Sequence, residues 1–165
     1  MMVTKETNYA TDASNKKLLV ERVFDAPVEM VWKAWKQSEL LDQWWAPKPW
    51  KANTVSMDFR EGGKWFYYME GPDGSRHYCK VDYKTIVPNS SFSGYDGFAD
   101  EKGNTLTEPP GMDWKCVFKA EGDITKVEIE VTFASEDDMK KIIEMGFKEG
   151  FAMAHTNLDE LLAKQ

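Results

Sequence analysis

The sequence predicts an α+β fold: an antiparallel sheet of about six or seven strands, two short helices after the first strand, and a long C-terminal helix against the sheet. Three observations carry this. Between residues 50 and 133 apolar segments follow one another with turn clusters between them and no helical stretch, which reads as an antiparallel meander. PVEMVWKAWKQ and SELLDQWW place apolar residues three and four apart, as amphipathic helices do. From Ser135 onward the same spacing continues almost to the C-terminus.

Taken in order, residues 1–15 are polar and without apolar periodicity, and are expected to form a flexible tail ahead of one domain over residues 16–165. KLLVERVFDA reads as the first strand, ending at Ala26-Pro27, where a proline can open a helix. Val28, Val31, Trp32 and Trp35 form the apolar side of the first short helix. Ser38 is the expected N-cap of the second, which Pro47 and Pro49 stop. The strands are expected near 50–59, 64–70, 75–87, 90–98, 112–120 and 124–133. Glu61-Gly62-Gly63 and Gly71-Pro72-Asp73-Gly74 mark turns between them. In the last two strands Met112, Trp114, Cys116 and Phe118, then Val127, Ile129, Val131 and Phe133, alternate with polar residues, and Glu121-Gly122-Asp123 joins them as a hairpin. The closing helix has Ser135 as N-cap and acidic residues in its first turn. Gly146 and Gly150 interrupt its propensity, each at about 1 kcal/mol against alanine, and are read as points of close approach to the sheet rather than as a kink.

Composition narrows the function. A chain of 165 residues with 42% hydrophobic and 30% charged residues is globular in character, and a net charge of −7 argues against nucleic acid as a partner. Cys79 and Cys116 stand far apart without metal-ligand spacing, so no disulfide framework, metal or cofactor is signalled, and a reducing cytoplasm is expected. No export signal or membrane span is read. Aromatics reach 13%, with seven tryptophans and nine methionines, enough to line something large and apolar.

The stretches ERVFDAPVEMVWKAWKQSELLDQWWAPKPW, DFREGGKWFYYMEGPDG and GFKEGFAMAHTNLDELL resemble the family named after activators of the heat-shock-protein-90 ATPase, within the START-like (SRPBCC) helix-grip superfamily. The Asp25-Ala26-Pro27, Trp44-Trp45 and Gly62-Gly63-Lys64-Trp65 elements occur in the family's order, and the likeness spans about residues 17–163. It implies a curved sheet wrapped around the terminal helix, with a cavity between them of the kind the superfamily uses for apolar molecules. Two departures imply a changed pocket shape: Phe151 where the family often has tryptophan, and Val81-Asp82-Tyr83 where it often has Gly-x-Tyr. Residues 99–111 form a longer polar loop than expected, read as a rim or lid.

Candidate wall residues are Trp32, Trp35, Trp44, Trp45, Phe66, Tyr68, Phe92, Tyr95, Trp114, Cys116, Phe118, Met145, Phe147 and Phe151. His77, Cys79, Val81 and Tyr83 share one strand face, where His77 and Tyr83 would be polar handles if that face points inward. His155 is read as structural. No catalytic residue or metal cluster is nominated. The reading favoured is binding of a small apolar molecule. A cyclase-, dehydratase- or hydrolase-like enzyme using His77, Tyr83 and Asp58 is the alternative, and a chaperone ATPase co-activator a further one, disfavoured because the separate N-terminal domain of the eukaryotic activators is not seen. An exposed edge strand leaves room for a homodimer.

Overall fold

The structure, a computed structural model, describes residues 6–164 apart from residues 13 and 15. Eight strands form one antiparallel sheet: β1 (Asn8–Asp12), β2 (Lys17–Phe24), β3 (Lys51–Met57), β4 (Lys64–Glu70), β5 (Arg76–Val87), β6 (Ser91–Ala99), β7 (Met112–Glu121) and β8 (Ile124–Thr132). The spatial order is β1-β2-β8-β7-β6-β5-β4-β3. The meander β3 to β8 thus runs across the sheet in chain order, and the N-terminal pair closes its far side. Two short helices, α1 (Val28–Lys36) and α2 (Ser38–Trp44), follow β2, and α3 (Glu136–Glu144) and α4 (Phe147–Ala163) end the chain.

Strand positions follow the alternation closely. Glu121 pairs with Ile124 to close the β7–β8 hairpin, and Trp114, Cys116 and Phe118 stand opposite Val131, Ile129 and Val127 on the inner face. On β4, where both faces are apolar, Trp65 and Tyr67 are buried while Phe66 and Tyr68 are half-buried on the outer face. There Phe66 stacks on Tyr78, and the Arg76 guanidinium lies over the Tyr68 ring.

Four expectations change. The polar N-terminal segment is not all tail: Asn8–Asp12 pairs in register with Lys17–Glu21, which makes it an edge strand. An edge strand needs only backbone partners and a little apolar contact, so alternation is a poor guide to it. Tyr9 supplies the contact, and its hydroxyl donates to the Lys148 carbonyl at 2.7 Å. Residues 1–5, 13 and 15 lie outside the described residues. Next, the terminal helix is broken. Gly146 takes φ 91°, a left-handed conformation that favours glycine, and it ends α3 and starts α4. The kink reading therefore holds at Gly146. At Gly150 an added Cβ would meet Pro47 Cγ at 3.6 Å, an ordinary contact with the segment after α2 rather than a crossing of the sheet.

Third, Ser135 caps α3, its Oγ accepting from the Asp138 N–H at 3.0 Å, but Ser38 is the first residue of α2 and Gln37 takes the cap position without a side-chain bond. Fourth, the expected rim or lid at residues 99–111 packs largely on the outer face, and it reaches the helical side through Glu108, whose carboxylate lies 3.6 Å from Lys141 Nζ of α3. Lys80 Nζ donates to the Gly103 carbonyl at 3.0 Å, Gly103 lies against Phe66, and Thr105 lies against Gly97. Those partners occupy the sheet positions that alternate with the inward side chains, which is why the loop is drawn to that side.

The interior divides in two. Under β2, β7 and β8 it is filled: Leu18, Val20, Phe24, Trp32, Trp35, Phe118, Val127, Ile129 and Leu158 are all buried. Toward β4, β5 and β6, beneath the α3–α4 junction, it is hollow.

Candidate functional site

The hollow is a cavity of about 330 Å³. Its walls follow from strand phase. Tyr67 and Met69 reach it from β4, His77 and Cys79 from β5, Asp96 and Phe98 from β6, and Met112 and Trp114 from β7. Trp45, Pro47 and Trp50 close one side from the end of α2 and the connection to β3. Ile142, Met145, Phe147, Gly150 and Phe151 close the helical side. His77 is exposed and Met145 is 56% exposed, so these two stand at the mouth. The His77 ring lies 5.1 Å from that of Trp50.

A smaller void of about 20 Å³ adjoins the cavity and shares Trp45, Asp96 and Trp114 with it. Trp35, Leu41, Trp65, Val81, Tyr83, Phe92 and Gly94 complete its walls. Gly94 matters here: an added Cβ would meet the Asp82 carbonyl oxygen at 2.7 Å. Any larger residue would push β6 away from β5 where the register of that pair shifts, between Tyr83 and Thr85.

Of the residues singled out from sequence, Trp45, His77, Cys79, Trp114, Met145, Phe147 and Phe151 line the main cavity, and Trp35, Val81, Tyr83 and Phe92 the smaller void. The His77 to Tyr83 face does point inward, with His77 at the open end. Trp32, Trp44, Cys116 and Phe118 lie in the filled core instead. Trp32 packs on Phe118 at 5.1 Å between centroids, and the Trp44 indole N–H donates to the Ala34 carbonyl at 3.0 Å. Phe66, Tyr68 and Tyr95 belong to the outer face, one residue out of phase with their inward neighbours, so they are not wall residues. His77, Tyr83 and Asp58 do not converge: Asp58 is exposed and paired with Arg60, while Tyr83 packs on Phe59 at 4.9 Å.

Sequence reasoning missed Asp96. It shares the inward phase of β6 with Phe92, Gly94 and Phe98, and it stands opposite Val81 on β5 and Met112 on β7. No hydrogen bond or ion pair to its carboxylate is found among the described residues. Burial pushes its pKa up to about 7. The same burial, and then the Asp96 charge, raise Cys79 to about 12 and hold the Tyr83 phenol and the Cys116 thiol well above their ordinary values. The Tyr67 phenol is raised by burial, with Cys79 and Asp96 adding to it. Its oxygen accepts from the Trp45 indole N–H at 2.8 Å. The indole N–H groups of Trp35 and Trp114 are buried without a partner among the described residues. A charged residue in the inward phase of an otherwise apolar strand was the available signal.

A second polar cluster went unread at the other end of α4. Arg22 is in phase with Leu18, Val20 and Phe24, and its guanidinium grips both carboxylate oxygens of Asp159, one of them at 3.1 Å. His155, fully buried, has its Nδ1 2.8 Å from Thr7 Oγ1 and its ring between those of Phe24 and Phe151. Burial, and then the Arg22 charge, push it down to about 3. These contacts hold it within the packed core rather than on the cavity wall.

Comparison with known proteins places these features in a family. The family described as Activator of Hsp90 ATPase homolog 1-like protein matches residues 25–163, most of the chain. The chain belongs to this family. A solution structure of a protein from Arthrobacter aurescens is 32% identical, with a TM-score of 0.90, over 96% of this chain and 92% of that one. Crystalline Ms6760 from Mycobacterium smegmatis is 30% identical, with a TM-score of 0.87, over 95% and 96%. CalU16 from Micromonospora echinospora, 19% identical with a TM-score of 0.61 over 95% and 85%, shares the fold. No curated protein matches. As an Activator of Hsp90 ATPase homolog 1-like protein the chain carries the helix-grip arrangement of its neighbours, with eight strands and a divided terminal helix. Among the described residues no helix is long and apolar enough to cross a membrane, and no cluster of His, Cys, Asp or Glu is arranged to hold a metal ion.

Proposed function

We propose that the protein binds a small, predominantly apolar molecule in the cavity between β4–β7 and the α3–α4 junction. The observation that carries the reading is the cavity itself. It encloses about 330 Å³, its walls are almost wholly aromatic and aliphatic, and it opens at His77 and Met145. Cavities of this size with few polar groups are where proteins take up small ligands, and apolar burial at roughly 25 cal/mol per Å² supplies the affinity. Trp45, Trp50 and Trp114 on the wall make binding visible in intrinsic fluorescence.

The test is titration with the neutral fluorophore N-phenyl-1-naphthylamine, alongside a Cys79→Phe variant that fills the cavity from β5. The expected result is saturable binding that the variant weakens at least tenfold. Absent binding, or binding indifferent to Cys79→Phe, removes the cavity as the site. Native mass spectrometry of the purified protein, followed by denaturation, identifies any molecule it carries.

A further inference from the structure

We propose that the ligand is an organic cation, a small molecule with an apolar body and a protonated amine, and that the ammonium group meets the Asp96 carboxylate within the aromatic wall. This rests on the cavity being a ligand site and adds the charge of what enters it.

Asp96 is the one acidic residue on either wall among the described residues. Its side chain lines both the main cavity and the smaller void, and no donor among the described residues answers it. No lysine or arginine stands on either wall. Asp96 is half-buried, on the cavity wall, and a carboxylate set among aromatic rings without a cation or donor costs more there than an amide would. The fold itself does not need the charge. The other inward carboxylate, Asp159, has its own cation in Arg22. At Asp96 no cation stands among the described residues, which leaves the counter-charge to the ligand.

The surroundings suit a cation on two further counts. Trp45, Trp50, Trp114, Phe147 and Phe151 surround the cavity, and the faces of such rings attract ammonium groups. The net charge of −7 favours approach of a cation over that of an anion. An anionic ligand would set like charge against Asp96, and a neutral one would leave the carboxylate unanswered.

Proton competition gives the proposal a signature. The groups facing Asp96 from the neighbouring strands are Tyr67 on β4, Cys79 and Tyr83 on β5, and Cys116 on β7, all held above their ordinary values and therefore neutral around pH 7. The helical side contributes Ile142, Met145, Phe147 and Phe151, which carry no charge. Glu149 and Lys148 of α4 are not on the wall, and His77 is the one imidazole that is. With Asp96 near pKa 7, its ionised fraction, and with it amine affinity, falls about tenfold between pH 8 and pH 6.

The experiment titrates the full chain with phenylbutylamine, phenylbutanol and phenylbutanoate, read by tryptophan fluorescence and calorimetry. The expected result at pH 8 is an amine at least tenfold tighter than the alcohol, with the carboxylate weakest. Asp96→Asn should erase the amine preference, so that amine and alcohol bind within about twofold of each other, with a urea midpoint confirming that the variant is folded. Moving to pH 6 should weaken amine binding about tenfold in the wild type and in His77→Gln, and leave it level in Asp96→Asn. Equal binding of amine and alcohol by the wild type overturns the cation and spares the pocket. A pH effect abolished by His77→Gln overturns the role of Asp96. Failure of all three compounds to bind overturns the pocket reading and this one with it. The wild-type ratio of amine to alcohol decides the matter even if a variant does not fold.

Discussion

Two carboxylates face the interior near opposite ends of α4, and the protein treats them differently. Asp159 is gripped by Arg22, next to a histidine that is itself bonded to Thr7 and enclosed by Phe24 and Phe151. Asp96 has aromatic neighbours, an adjoining void and no partner among the described residues. A buried charge that is answered from within belongs to the fold. One that is left unanswered beside a cavity is tolerated for what enters the cavity.

The sharpest test of that contrast starts with the answered carboxylate and its partner. Removing one member of a buried pair leaves the other charge stranded, so Arg22→Met alone should lower stability by about 3–5 kcal/mol. Replacing both, as Arg22→Met with Asp159→Leu, should return most of that loss, because the desolvation of two charges goes with them. Urea denaturation with a fixed m-value measures both. A single variant as stable as the double would show that the pair has little hold on the fold.

The next largest effect is on pH. His155 is held down to about 3 in the folded protein, against an ordinary value near 6.5. Between those values the unfolded chain binds the extra proton, so stability falls as pH drops, by up to a few kcal/mol. Asp96 acts in the opposite sense. With its folded value near 7 and its ordinary one near 3.8, the folded chain binds the extra proton, and stability falls as pH rises through 7. In the wild type the two slopes oppose each other from about pH 4 to pH 6.5. Asp96→Asn should therefore expose the acid sensitivity of His155, and His155→Phe should expose the loss toward pH 7 from Asp96. Thermal midpoints from pH 4 to pH 8 check this, and two variants with parallel profiles would contradict both assignments.

How much of this was legible depended on which signal each feature leaves. The β7 and β8 strands were plain because each buries one face and wets the other, so Met112 to Phe118 and Val127 to Phe133 carry a clean period of two. On β4 that period vanishes, since Trp65, Phe66, Tyr67 and Tyr68 are all apolar enough for either face, and the sequence does not show that Phe66 and Tyr68 face outward. β1 is set by backbone pairing and one tyrosine, and such an edge leaves no pattern. The break at Gly146 was visible as a glycine, while its left-handed backbone was not. The candidate site was partly legible for a related reason. Aromatics announce an apolar interior but do not say which half of it is packed, so Trp32 and Phe118 looked like Trp45 and Trp114. Asp96 and Arg22 were the better clues, charged residues in the inward phase of strands, and weighing aromatics alone passed over them.

Asp96→Asn at fixed pH separates the two carboxylates by sign. At pH 8 it removes a partly desolvated charge and leaves an amide of the same shape, so stability should rise by about 1 kcal/mol. The same exchange at Asp159 should lower it. The gain at Asp96 should shrink as pH falls from 7 toward the ordinary carboxyl value of 3.8, below which the wild-type carboxyl is neutral in both states. A loss at pH 8 would mean that the carboxylate already has a stabilising partner, and the contrast between the two sites would fail.

The smallest expected change in stability is at Cys79, and it separates packing from binding. The side chain lies on the cavity wall opposite Phe98 on β6, and its thiol, raised to about 12, stays protonated and unreactive at neutral pH. Enlarging a residue in a packed core costs about 1–3 kcal/mol, but Cys79→Phe grows into space already present, so its effect should stay within about 1 kcal/mol. Cys116→Phe makes the same exchange in the filled half, at a position with no exposed surface, and should cost the full amount. Ligand affinity should follow the reverse order, lost in Cys79→Phe and kept in a folded Cys116→Phe. Equal costs at the two cysteines would mean that the hollow half closes up in solution, and both functional readings would then lose their ground.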